Sequence, residues 1–103
     1  MDNITLELNN FKRGAFLVRE GVEQLAEMEV GIVGDNLTVY HTEVSPKLQG
    51  KGVAQQLLNH MVDYAREHKL KVIPLCPYVL AQFKRHPEKY VDLWNKDWHT
   101  KEK

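Results

Sequence analysis

The spacing of apolar residues first changes along this chain at a pair of glycines, Gly50 and Gly52. Before them apolar residues recur at every second position, and after them at every third or fourth. The first spacing belongs to a strand with one buried face, the second to a helix with one buried stripe. An open sheet covered by a helix satisfies both, so the fold class expected is α+β.

Residues 3–9, NITLELN, put Ile4, Leu6 and Leu8 on one side and Thr5 and Glu7 on the other. Asn9 and Asn10 suggest a turn, and GAFLVRE over 14–20 offers a second strand that stops at Gly21. In QLAEMEVGIV, 24–33, Ala26, Met28, Val30 and Ile32 oppose Glu27, Glu29 and Gly31. The triplet GDN, 34–36, reads as a hairpin turn before the β-branched and aromatic run LTVYHTEV, 37–44. Connections this short predict an antiparallel meander of three or four strands.

The helix is expected over 52–68. Val53, Leu57, Met61 and Ala65 form its stripe, widened by Ala54, Leu58, Val62 and Tyr64. LKVIPLC, 70–76, is a short apolar strand, and a crossover lays 71–75 parallel to 37–44. Pro74 marks that strand as an edge or a broken one. Pro77 suits the first turn of a further helix with Val79, Leu80 and Phe83 inside, ending near Pro87. The tail carries Trp94 and Trp98; its early part is expected to pack and its last residues to fray. The expectation is one domain over 1–103, fraying at both termini.

Acidic and basic residues number 14 each in the 103-residue chain, so no general attraction to nucleic acid or an anionic membrane is expected. The single cysteine, Cys76, cannot form an internal disulfide and fits a reducing compartment. No stretch approaches the ~20 apolar residues that span a bilayer. A cytoplasmic location is the expectation, and the oligomeric state is left open.

The junction QGKGVA, Gln49–Ala54, has a specific chemistry. The first amides of a helix lack intrahelical partners and carry partial positive charge. Gly50 and Gly52 leave them uncovered, and Lys51 adds a cation. A cradle for a pyrophosphate is one reading; a tight solvated turn is the other. The dinucleotide-binding pattern GxGxxG and the P-loop pattern GxxxxGK[ST] are both absent.

Gln49, Gly52 and Ala54 match the helix-opening motif Gln/Arg-x-x-Gly-x-Gly/Ala, and the chain resembles the GCN5-related N-acetyltransferases. It is similar in particular to their very short members, through HTEV at His41–Val44, GKG at Gly50–Gly52, CPYV at Cys76–Val79 and HPEKY at 86–90. The resemblance covers residues 4–93. It implies that the backbone over Gly50, Lys51, Gly52, Val53 and Ala54 holds the pyrophosphate of acetyl-coenzyme A. It also implies that the pantetheine arm lies between splayed strands 37–44 and 71–75, with backbone near Val44 on its amides, residues 45–48 along the approach, and Cys76 near the cofactor; Phe83 is a candidate contact to the pantetheine or adenine side, against helping to fill the core. Larger members wall their acceptor site with one or two helices between the first strands; here 10–36 reads as strand and turn, which leaves that side open or dependent on a partner.

Acetyl transfer to an amine needs a base, a stabilised thioester oxygen and a proton for the departing thiolate. Glu43, one residue from its strand's end, is a candidate base, and His41 shares its face as a relay; solvated or structural roles compete for both. Cys76, at the expected start of a helix, is a candidate nucleophile or a contact to the coenzyme sulfur, against the plainer role of a small buried residue. Tyr78 is a candidate acid, against packing. His60 and His68 lack companions for a metal site. Three functions follow: an acetyl-coenzyme A-dependent N-acetyltransferase acting on a primary amine, such as a peptide lysine or N-terminus; a module that binds acyl-coenzyme A without transfer; or an interaction domain that has lost the cofactor.

Overall fold

The computed structural model describes residues 4–97. Among the described residues five strands form one sheet in the order β1-β2-β3-β4-β5: β1 (Ile4–Leu8), β2 (Arg13–Glu20), β3 (Glu23–Val33), β4 (Asn36–Val44) and β5 (Lys71–Pro74). The first four are antiparallel neighbours, as the short connections require, and β5 joins β4 in parallel. The crossover is α1 (Val53–Glu67), one residue shorter at each end than its periodicity suggests. A 3-10 turn over Pro46–Leu48 precedes it, and α2 (Pro77–Arg85) and the short α3 (Pro87–Tyr90) follow β5.

Each expected strand is present. The hairpin turn is narrower than GDN, because Asn36 already pairs with Val33. Pro74 closes β5 at the sheet's edge, where its missing N–H costs no ladder bond. Beyond β5 the tail adds one bridge: the Val72 N–H donates to Leu93 O and the Asn95 N–H to Val72 O. The fraying expected at the termini, and Trp98, lie outside the described residues.

The sheet's two faces differ as the alternation predicts. On one face Phe16, Val18, Met28, Val30, Leu37, Val39 and Val72 are buried beneath Leu57, Leu58, Met61 and Ala65 of α1. Each Leu, Val or Met so buried contributes about 1.5–3 kcal/mol of hydrophobic stabilisation. Tyr64 sits at the margin of that stripe, edge-on to Phe16 with ring centroids 5.9 Å apart. The opposite face carries Thr5, Glu7, Arg19, Glu27, Glu29, His41 and Glu43, with Ala15 and Leu17 buried between them. Arg19 pairs with Glu7, and Arg13 with Glu29 at 2.9 Å.

One irregularity decides where the site lies. Glu29 faces His41 and Val30 faces Val39, so Tyr40 has no partner on β3 and forms a bulge. Val39 O points toward the β5 side, where it accepts from the Cys76 N–H at 2.9 Å. The Ser45 N–H points the other way, to Leu25 O on β3 at 2.7 Å. A regular strand would aim both odd-numbered residues to the same side. The extra residue reverses the parity, so Leu37 and Val39 face α1 before it and Thr42 and Val44 face α1 after it.

Candidate functional site

The ladder between β4 and β5 ends at Val39 opposite Pro74, while β4 runs on to Val44. From Cys76 the following chain turns away into α2, where Pro77 takes the first helical position. A gap opens beside residues 40–44. With the parity reversed at Tyr40, the N–H and C=O groups of Thr42 and Val44 point into this gap, away from β3. The ladder with β5 has already ended, so among the described residues no strand pairs with them.

At the top of β4 the loop is built locally. Ser45 Oγ accepts the Lys47 N–H at 3.2 Å, Pro46 opens the 3-10 turn, and Leu48 is buried in the core. Lys47 Nζ lies 2.8 Å from a Glu23 carboxylate oxygen, which ties the loop to the start of β3 and raises the Lys47 pKa through that bond. Gly50 and Gly52 then adopt left-handed backbone, φ 80° and 68°, a conformation in which a side chain is strained. Gly52 is the N-cap of α1 and offers no side chain to cap it. The Gln56 N–H donates to Gly52 O at 3.1 Å, but the amides of Val53, Ala54 and Gln55 have no hydrogen-bond partner among the described residues. Val53 and Ala54, with Val44, Ser45, Leu48, Gln49, Gly50 and Gly52 among others, line a cleft of about 360 Å³. Six of the residues expected to hold a cofactor therefore line one cleft: Val44, Gln49, Gly50, Gly52, Val53 and Ala54. Lys51 is exposed just outside it.

The remaining candidates separate. Cys76 is 2% exposed and lies on the α1 face, its Sγ 3.3 Å from Thr42 Oγ1. His41 and Glu43 stand on the opposite face, 3.8 Å apart and open to solvent. They share a face as their spacing requires, but β4 lies between them and Cys76. Glu43 lines a second cleft, about 200 Å³, with Gln24, Glu27, Ser45 and Pro46; it adjoins the first through Val44, Ser45 and Pro46. Tyr78 is half-buried, and burial, with Tyr90 and Cys76 nearby, holds its phenol above the ordinary tyrosine value. Phe83 is not brought to the cleft. Its ring is fully buried, stacked on Tyr90 at 4.4 Å between centroids and edge-on to Trp94.

Sequence reasoning missed Thr42 and Glu27. Thr42 reads as an unremarkable strand threonine unless the bulge is known. Glu27 could have been found, because hairpin register places it directly opposite Glu43. Among the described residues no group of three His, Cys, Asp or Glu side chains could hold a metal ion, and no helix is long and apolar enough to cross a membrane.

Similar folds are known. A GCN5-like protein from Staphylococcus aureus superposes with a TM-score of 0.65 at 28% identity, over 91% of this chain and 90% of its own. The ribosomal-protein-S18-alanine N-acetyltransferase of Escherichia coli gives 0.55 at 20% identity over 62% of this chain. The match spans only 42% of that enzyme's length. An IAA acetyltransferase of Bacillus cereus gives 0.54 at 16%, over 76% of this chain and 54% of its own. The last two identities speak for the fold alone. No curated protein matches the sequence. The family model described as GCN5-related N-acetyl-transferase matches residues 15–93, the span that holds the gap, the bulge and the glycine cradle, and the chain belongs to that family.

Proposed function

We propose that this protein binds acetyl-coenzyme A in the gap beside β4 and transfers the acetyl group to a primary amine. The observation that carries the reading is the row of unpartnered amides at Val53, Ala54 and Gln55, opening on a cleft continuous with the free edge of β4. The residues present fit the cofactor. Three uncapped amides and the exposed Lys51 suit a diphosphate, and the Thr42 and Val44 peptide groups offer a donor and acceptor row to the amides of an extended arm. Bound there, acetyl-coenzyme A supplies an activated thioester.

The chain's own groups then have separable tasks. Glu43, in the adjoining cleft, takes the proton from the acceptor ammonium, and Glu27 across the ladder adds negative charge that attracts the cation. His41 orients Glu43 from 3.8 Å. Tyr78, whose phenol burial holds above the ordinary tyrosine value, carries its proton at neutral pH and is the candidate donor to the departing sulfur. Because Cys76 and Glu43 stand on opposite faces of β4, direct attack by the amine needs fewer movements than a relay through the thiol. Cys76 then serves as a buried wall of the gap, its Sγ against Thr42.

The test is calorimetric titration with coenzyme A, followed by thiol release from acetyl-coenzyme A across a panel of amines and peptides. Binding with amine-dependent release supports the enzyme, and Glu43→Gln should then cut kcat at least about 100-fold, the scale of a lost general base. Binding without release above the blank means a non-catalytic acyl-coenzyme A module. Absence of binding overturns both readings.

A further inference from the structure

The bulge in β4 needs a cause, since one residue more or less would turn Thr42 and Val44 away from the gap. On the open face of the sheet the bulged residue is clamped. The Arg13 guanidinium lies 3.9 Å from the centroid of the Tyr40 ring, and its Nη2 donates to Glu29 Oε2 at 2.9 Å. Beneath the ring is Gly31. A Cβ there would lie 3.2 Å from both a Tyr40 ring carbon and the Tyr40 hydroxyl, and 3.1 Å from Arg13 Cδ. Glycine therefore lets the ring lie flat on β3, and it sits opposite Arg13 in the β2–β3 register and Thr38 in the β3–β4 register. Glu29, which holds the arginine, is the residue paired with His41 where the register shifts. Three strands thus contribute to one contact at the single irregular point of the β3–β4 ladder.

We infer that the Arg13–Tyr40 stack over Gly31 is a positioning device: it holds Tyr40 out of the ladder and so aims the Thr42 and Val44 peptide groups into the cofactor gap. None of its three residues lines either cleft at the end of β4. A slip of one residue in β4 exchanges both its faces and its peptide directions. Without the clamp, the strand can trade its bulged register for a regular one that presents Glu43 and His41 to α1. Burial of those two polar side chains opposes the slip, so the clamp acts by narrowing β4 to one state at ordinary temperature. The link to cofactor binding rests on the acetyl-coenzyme A reading; the link to register does not.

The test uses the full chain and its Tyr40→Ala, Tyr40→Phe and Arg13→Met variants. Amide chemical shifts and cross-strand contacts between Glu29 and His41 report the register without ligand, and calorimetry reports coenzyme A affinity at 25 °C. Tyr40→Ala should disturb the amide signals of Thr42 and Val44 and weaken affinity about five- to tenfold, the scale of one lost cation–π contact. Tyr40→Phe keeps the ring and should restore both, and Arg13→Met should fall between. Arg13 is half-exposed, so its variant tests the clamp if Tyr40→Ala fails to fold. Native Glu29–His41 contacts and wild-type affinity in folded Tyr40→Ala or Arg13→Met would overturn the inference. Wild-type protein that ignores coenzyme A refutes the cofactor reading instead, and the register measurement still decides whether the clamp sets the bulge.

Discussion

Asp92 is held in a charge-assisted pair with Arg66 that ties α1 to the segment after β5. Arg66 on α1 donates to both of its oxygens, at 3.0 and 3.2 Å, and its Nη2 also donates to Lys89 O at 2.7 Å. The Arg66 hydrogen bond, ahead of any other cause, holds the Asp92 carboxyl below its usual range. A depressed carboxylate pKa stabilises the fold above the unfolded value and loses that contribution as pH falls through the folded one. Both side chains are more than a third exposed, so the effect is screened and amounts to at most about 1 kcal/mol. Asp92→Asn should therefore lower the urea midpoint at pH 7, and the difference from wild type should shrink as pH falls below the ordinary aspartate value and through the lowered one. Parallel curves from pH 7 to pH 3 would show that the carboxylate contributes nothing. The same scale exposes what single residues conceal. Cys76, His41 and Glu43 were legible as candidates from their chemistry, but the strand that separates them was not.

At the scale of elements, α1 was the most legible because its signal is repetitive: Val53, Leu57, Met61 and Ala65 all recur inside. The Pro46–Leu48 turn and α3 have no period to read; three or four residues cannot complete one. Pro74 at the edge and Pro77 at a helix start follow from proline's missing N–H and fixed φ. The glycine cradle is where the element meets function. Apart from its chain neighbours, nothing among the described residues lies within 4 Å of the Cβ that alanine would bring at Gly52, so the cost there is conformational rather than steric. Gly52→Ala should destabilise the fold by about 1 kcal/mol, the price of left-handed backbone without glycine. A urea titration should show a lower midpoint at unchanged slope. An unchanged midpoint would mean that the cap has moved to an ordinary conformation.

At the scale of the whole molecule, one core joins the sheet, α1 and the segment after β5. Phe83, Tyr90 and Leu93 are as buried as the residues beneath α1. Phe83→Ala should cost about 3–5 kcal/mol, a large share of the roughly 5–15 kcal/mol that holds a domain together. Thermal or urea unfolding would measure it. Coenzyme A affinity, measured where the variant stays folded, should change far less than stability. A large affinity loss in folded Phe83→Ala would return that residue to the cofactor site proposed for it from sequence alone.

The α+β class, the order of the strands and the uncovered amides at the start of α1 were written in local spacing, because alternation, helical period and glycine act over a few neighbours. The placement of the chemistry was not. Whether Thr42 or Glu43 faces α1 depends on one unpaired residue, and that residue is held by Arg13 and Gly31, which neighbour Tyr40 only once three strands lie side by side.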